Sequence, residues 1–379
     1  MRIFYSIVTI SIATCLLMNS SLAFSKQKKG SKDKHKEETS YDFGASILID
    51  YDSFDPAYSN NALNSSSETE IRRTRVALKS VHNQYFSSKI QLDYDVEKSE
   101  FEFKDAYISY TGFNKMAITL GKQKEPFGLN KNNSLRKLPM IERSIVTQAF
   151  APGRNEGISI ERDGNNWFWK AGYYQLDSDK PERNPKATTG RIGWIPFDKK
   201  GLTIHFALAA SLRDLQGENF KINETLEIHG SDSVIEGKKV KTDSVFLSGS
   251  ELIIQKNGIS FVTENQSARI KDTKNRIRDY DGYYWQFGYR INDEAHKYKM
   301  GKFGGFRPKS TLGALELTYR KSLLKLKKEE QNVEISTFGI NYYFDKSIKV
   351  MLNRNTSVNE DKDDITKGKA YSLRFQYSF

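Results

Sequence analysis

The chain has 379 residues, with 59 Lys and Arg against 47 Asp and Glu, a formal charge of +12 and a single cysteine. A mean hydropathy of −0.64 argues against a helical membrane protein, and one cysteine excludes a disulfide-stapled domain. A basic chain can meet nucleic acid, an anionic membrane surface or small anions, and the export signal that follows sets nucleic acid aside.

Arg2 precedes a largely apolar stretch from Ile3 to Met18, and Ser21-Leu22-Ala23 places small residues where a signal peptidase reads them. The sequence predicts a signal peptide over 1–23, cleaved after Ala23. Removing it takes away Arg2 and leaves a charge of about +11. Cys15 lies inside this leader. Ile12-Ala13-Thr14-Cys15 loosely resembles a lipoprotein motif, but Thr14 fits it poorly and Leu16-Leu17-Met18 continues the apolar run. Residues 24–40 are Lys-rich and polar and read as a disordered periplasmic arm.

From 41 to 379 strand-length alternating segments recur. Ile90, Leu92, Tyr94 and Val96 alternate with Lys89, Gln91, Asp93 and Asp95, and Ala106, Ile108 and Tyr110 with Asp105, Tyr107 and Ser109. Met116, Ile118 and Leu120 follow. Leu202 to Leu208, Tyr283 to Tyr289, Leu315 to Tyr319 and Ile348 to Leu352 repeat the period of two, and no helical period competes. The last strand places Tyr371, Leu373, Phe375, Tyr377 and Phe379 on one face, with Ser372, Arg374, Gln376 and Ser378 on the other. In an outer-membrane barrel the apolar face meets lipid and the polar face lines a lumen, so mean hydropathy stays low. Tyr110 to Lys115 reads as a tight turn, and Leu176–Gly190 and Thr356–Lys369 as long polar loops. The count is about 16 strands, the size class that leaves an aqueous channel.

The longest structureless stretch of the first half runs from Pro126 to about Asn155, mixing apolar anchors (Phe127, Leu129, Leu138, Ile141, Phe150) with cations. A loop of this length is either functional or disordered, and its mixture of apolar anchors and cations favours one that packs; folded into the lumen, it would narrow the pore. Arg143 beside Glu142 reads as an ion pair within it. Upstream, if Val76 and Leu78 face lipid, then Arg73, Arg75, Ala77 and Lys79 face the lumen as a cationic ladder. Such a ladder replaces an anion's hydration shell without holding it too tightly to leave. Guanidinium suits this because its planar fork matches two oxygens of a phosphate. Arg72 has the lipid-side parity and reaches the lumen only across a bulge or at a strand end.

Lys122-Gln-Lys-Glu-Pro-Phe-Gly-Leu129, Met140-Ile-Glu-Arg143 and Phe150-Ala-Pro-Gly-Arg154 resemble the phosphate-selective porin O/P family. So do Ile71-Arg-Arg-Thr-Arg-Val76, Asp105-Ala-Tyr107, Phe303-Gly-Gly-Phe306 and the terminal strand. The resemblance covers essentially the whole mature chain. It implies a 16-stranded trimeric barrel with the third loop folded into each channel. It also implies an anion site made of Arg72 and Arg73 from an early strand, Lys131 and Ser134 from the loop, and Asp105 nearby. Ser134 stands alone where the family pattern has a pair of serines.

The expected molecule is therefore an all-β, transmembrane antiparallel barrel in the outer membrane, passing small anions, phosphate among them, by diffusion. Its partners are those anions, outer-membrane lipid, the barrel assembly machinery that reads Phe379, and two further copies of itself. No cofactor is implied. A general or cation-preferring porin, with Lys89, Asp93, Asp95, Asp105, Glu316 and Arg320 as a mixed wall, is the alternative, as is a non-conducting structural or adhesin barrel. An enzyme is disfavoured because His82, His205, His229 and His296 lie in no catalytic motif. His205, in lumen phase, reads as wall.

Overall fold

A computed structural model describes residues 39–379 apart from 61–63, 96–98, 200, 292–293 and 363. The segments expected to form a signal peptide and, nearly in full, a basic arm lie outside the described residues. Sixteen strands, antiparallel throughout, close into one barrel. β1 (Ser40–Phe54), β2 (Ser66–His82), β3 (Phe86–Asp95), β4 (Glu100–Phe113), β5 (Met116–Lys124) and β6 (Arg154–Asp163) come first, and ten more run from Trp167–Gln175 to Asp364–Ser378. β1 closes the ring on the last strand, with Ser46 opposite Ser378 and Phe54 opposite Ala370. Phe379 is held by both of its backbone hydrogen bonds to Ala45, at 3.0 and 3.1 Å. Closure leaves no strand edge unpaired, the condition for a sheet to span lipid.

The alternation read from the sequence sets the two surfaces. On the last strand Tyr371, Leu373, Phe375, Tyr377 and Phe379 are 40–53% exposed on the outside, while Ser372, Arg374, Gln376 and Ser378 are at most 9% exposed in the lumen. Leu120, Leu208 and Phe287 likewise face out, with Thr119, His205 and Gln286 inside. This inverts the soluble arrangement, and it is the arrangement a bilayer requires.

Short turns at 83–85, 114–115, 164–166 and 344–347 gather at the end that also holds Phe379, which is therefore the periplasmic end. The turn expected between Tyr110 and Lys115 tightens to its last residues, since Phe113 still pairs with Met116. The polar loop expected over 356–369 is instead a long hairpin, with Ile348–Asp361 paired to Asp364–Ser378 up to Asp361 opposite Asp364. Above the apolar band both faces meet water, so pairing continues where alternation stops. The loop expected over 176–190 shortens to 176–185, because Lys186 already begins a strand.

Three connections turn inward: 125–153, 221–239 and, unusually from the periplasmic end, 291–313. The first contains two short helices, α1 (Leu129–Asn132) and α2 (Ile145–Phe150, capped by the Ser144 hydroxyl on Thr147 N–H). Phe127, Ile145, Val146 and Phe150 join a buried cluster with lumen-facing Val245, Ile270, Leu324 and Ile335, roofed by Ile222, Leu226 and Ile228 of the second connection. Leu129 packs with Ile253, Val262 and Tyr284, and Leu135 and Leu138 with Leu48. The wall thus carries an apolar patch inside the lumen, and the loop is seated on it.

A cation-lined constriction

The register between β1 and β2 decides where the arginines point. Leu48 pairs with Arg73 but Asp50 pairs with Glu70, so Ile71 and Arg72 share the single opposing position of Ile49. This bulge shifts the phase by one residue. Arg73 and Arg75 keep the lumen parity, and Arg72 also turns inward, donating from Nε to Glu142 Oε1 at 2.9 Å. Arg75 donates to Asp93 Oδ2 at 2.6 Å across the strand pair, and Arg73 approaches the same carboxylate at 3.5 Å. Lys79 lies three residues from the periplasmic end of β2, exposed and 3.6 Å from Asp42. Asp105 is pulled between Lys89 and Arg154, the latter at 2.5 Å.

The infolded loop corrects one expectation. Glu142 is not the partner of Arg143; it is shared by Arg72 and Arg374, the second at 2.9 Å. Burial alone would raise this carboxyl, but Arg72 and Arg374 outweigh it and hold it below the ordinary carboxylate range. Arg143 instead donates to the carbonyls of Asn130 and Asn133, at 3.1 and 3.0 Å. Lys124 Nζ donates to the carbonyls of Lys131, Asn132 and Asn133, at 2.7, 3.1 and 3.1 Å. Both cations are held by carbonyls at the end of α1, which satisfies their hydrogen bonds without cancelling their charge. Lys131 has no carboxylate within 4 Å among the described residues. Burial and then Arg143 bring its amine down to about 8. Ser134 opens the turn Leu135–Lys137 and faces the cavity below.

That cavity, about 870 Å³, lies between the loop and the periplasmic mouth. Thirteen Lys and Arg line it against five Asp and Glu. Arg75, Lys79, Ser134 and Asp105 of the sequence-derived set are on its wall, together with Lys124, Arg136, Arg154, Lys302 and Lys349. Arg72, Arg73 and Lys131 are not on it. They cluster above, around the loop, so the expected residues divide between two levels. The connection 291–313 rises from below, and Phe303 N–H donates to Asn133 Oδ1 at 2.8 Å. Tyr298 from the same segment meets His205 Nδ1 at 2.6 Å, which makes His205 part of the wall.

Sequence reasoning missed Lys124, Lys302 and Lys349. Lys302 had one available signal, its place beside the Phe303-Gly-Gly-Phe306 motif. Lys349 sits on the expected lumen face, where its Nζ donates to Leu138 carbonyl at 3.1 Å. Of the mixed wall offered as the alternative, Lys89, Asp93, Asp105, Glu316 and Arg320 lie in the lumen as members of ion pairs, while the side chain of Asp95 lies outside what is described. Glu316 takes Arg290 at 3.1 Å, Arg320 reaches up to Glu227, and Arg191 takes Glu251 at 2.6 Å.

The profile of the family "Phosphate-selective porin O and P" matches residues 42–379. The chain belongs to this family. As an outer-membrane porin of that family it is a channel and not an enzyme. Porin O of Pseudomonas aeruginosa is 24% identical, the alignment covering 90% of this chain and 89% of that protein. Among solved structures, the anion-selective porin from Comamonas acidovorans superimposes with a TM-score of 0.61 at 12% identity, covering 90% of this chain and all of that one. The outer-membrane channel DcaP of Acinetobacter baumannii gives 0.59 at 12% identity over 92% and 99% of the two chains. OmpT of Vibrio cholerae in its trimer form gives 0.55 at 12% identity over 90% and 99%. At these identities the structural likenesses bear on the fold.

Proposed function

We propose that this porin passes small anions, phosphate among them, by passive diffusion through a cationic constriction, as a homotrimer exported by the signal peptide over 1–23 and inserted by the barrel assembly machinery. One observation carries the reading: an 870 Å³ cavity walled by thirteen cations, Arg75 among them, and five acids lies in series with Arg72 and Arg73 of the same strand as Arg75. A surplus of this sign raises the local anion concentration. Lys131 and Arg143, which have no carboxylate within 4 Å among the described residues, and Arg73, whose contact with Asp93 at 3.5 Å is a loose one shared with Arg75, offer donors to a partly dehydrated anion, with Ser134 below them. Arg75, Arg72 and Asp105 shape the site through their pairs. The names of Porin O and of the Comamonas anion-selective porin agree with this reading, and the OmpT trimer form agrees with three copies.

The test is the zero-current potential of the purified protein in a planar bilayer under a KCl gradient, followed by phosphate titration. An anion-selective sign with chloride current blocked by low phosphate supports the reading. Block should weaken on the order of a hundredfold in Arg73→Ala with Lys131→Ala, each lost cation being worth roughly a charge-assisted hydrogen bond. Cation preference would overturn it. A general porin is the second reading, favoured by the carboxylates Asp93, Asp105 and Glu142, which pair Arg75, Arg154 and Arg72. Anion preference without phosphate block would select it.

A further inference from the structure

On the outer surface the apolar band ends sharply where the strands leave the membrane. Along the last strand the outward series Phe379, Tyr377, Phe375, Leu373, Tyr371 gives way to Lys369 and Lys367, and along Ile348–Asp361 the series Ile348, Val350, Leu352 gives way to Arg354. Cross-strand register joins these positions: Arg354 stands between Phe338 and Tyr371, Lys369 opposite Thr356 and Lys367 opposite Val358. Neighbours along a strand face are about 6–7 Å apart and diagonal neighbours about 7–8 Å, so the three cations form one compact patch. All three side chains are exposed and none forms an ion pair among the described residues, the nearby Asp55 carboxylate accepting the Lys369 backbone N–H at 2.7 Å. Glu334, in register with Lys367 across Val358, is taken by Lys321 at 2.9 Å.

The aromatic side chains Phe338 and Tyr371 flank Arg354 and Tyr51 lies one step below, opposite Leu373, each 45–49% exposed. The end of the barrel opposite the short turns faces the outer leaflet. We infer that Arg354, Lys367 and Lys369 bind the phosphates of a phosphorylated glycolipid of that leaflet, whose acyl chains run down over Leu352, Leu373 and Phe375. Cations on an outward face have no anion of the pore to serve. Set above an apolar, aromatic-edged surface, they complement a headgroup that is anionic above and apolar below. The assignment is independent of what the channel conducts.

Native mass spectrometry of the detergent-purified protein tests it, with bis-phosphorylated lipid A and its dephosphorylated form as probes. The wild type should retain the phosphorylated probe on the order of tenfold better. Arg354→Ser with Lys367→Ser and Lys369→Ser should lose that preference while keeping wild-type conductance, and Arg354→Lys should keep it. If the triple variant does not fold, Lys369→Ser alone should lower retention several-fold. Equal retention of the two probes, an undiminished preference in these serine variants, or release of the lipid by excess inorganic phosphate would each overturn the assignment.

Discussion

Lys131 is the residue whose chemistry is most exposed to test. Its amine, brought down to about 8, is charged below that pH and neutral above it. Anion-over-cation permeability should therefore fall as pH rises from 7 through 9, and Lys131→Met should flatten that dependence, as read from reversal potentials at each pH. Arg374 illustrates the opposite case, a cation whose charge is spent on structure. It is 1% exposed and bonded to Asp50 at 2.6 Å and to Glu142 at 2.9 Å. Arg374→Ala leaves two buried carboxylates with one fewer partner. The expected cost is about 3–5 kcal/mol, read from urea unfolding of the barrel. The outward neighbours of these groups were legible from period-two spacing alone, whereas their partners were not. Glu142 lies 232 positions from Arg374 in sequence, and only the infolding brings them together.

At the scale of the element, the constriction loop is placed by its sockets more than by its own helices, which are too short to stand alone. Glu264 accepts the N–H groups of Leu129 and Asn130, both at 2.8 Å, and fixes the start of α1. Glu264→Ala should loosen the loop and raise open-channel current noise in single-channel recordings. Wall glycines leave room for three loop side chains: Gly249 under Phe127, Gly282 under Val146 and Gly339 under Met140. A Cβ at Gly282 would stand 2.9 Å from Val146 and 2.6 Å from the Leu323 carbonyl. Gly282→Val should thus displace α2 and change single-channel conductance while the barrel still assembles. The sequence announced the loop through its length and its apolar anchors. It did not announce the patch that receives them, because Ile253, Ile270, Leu324 and Ile335 sit on a face the barrel rule expects to be polar. The signal was present in runs such as Leu252-Ile253-Ile254 and Leu323-Leu324, which read as strands buried on both faces.

For the whole molecule, closure depends on one seam, β1 against the last strand, and Phe379 is its final tie. Phe379→Ser removes the ring packed beside Phe43 and the aromatic end of the outward series. It should lower the fraction of folded, heat-modifiable protein in the outer membrane, with conductance of the inserted fraction unchanged. Electrostatics also belongs to this scale. Most lumen arginines are neutralised in pairs, so net charge alone says little about selectivity, and the distribution of unpaired cations between the loop and the lower cavity says more.

The sequence by itself determined the barrel, its approximate strand count, the face its alternating strands turn to lipid, and the existence of a long loop with apolar anchors. These follow from local alternation and connection length, which chemistry writes residue by residue. Only the tertiary structure decided that Arg72 points inward, that Glu142 serves Arg72 and Arg374 instead of Arg143, and that residues 291–313 rise from the periplasmic end to meet Asn133. A one-residue bulge, a pairing across the lumen and a second infolded segment each depend on groups far apart in the chain, and no local pattern encodes such a distance.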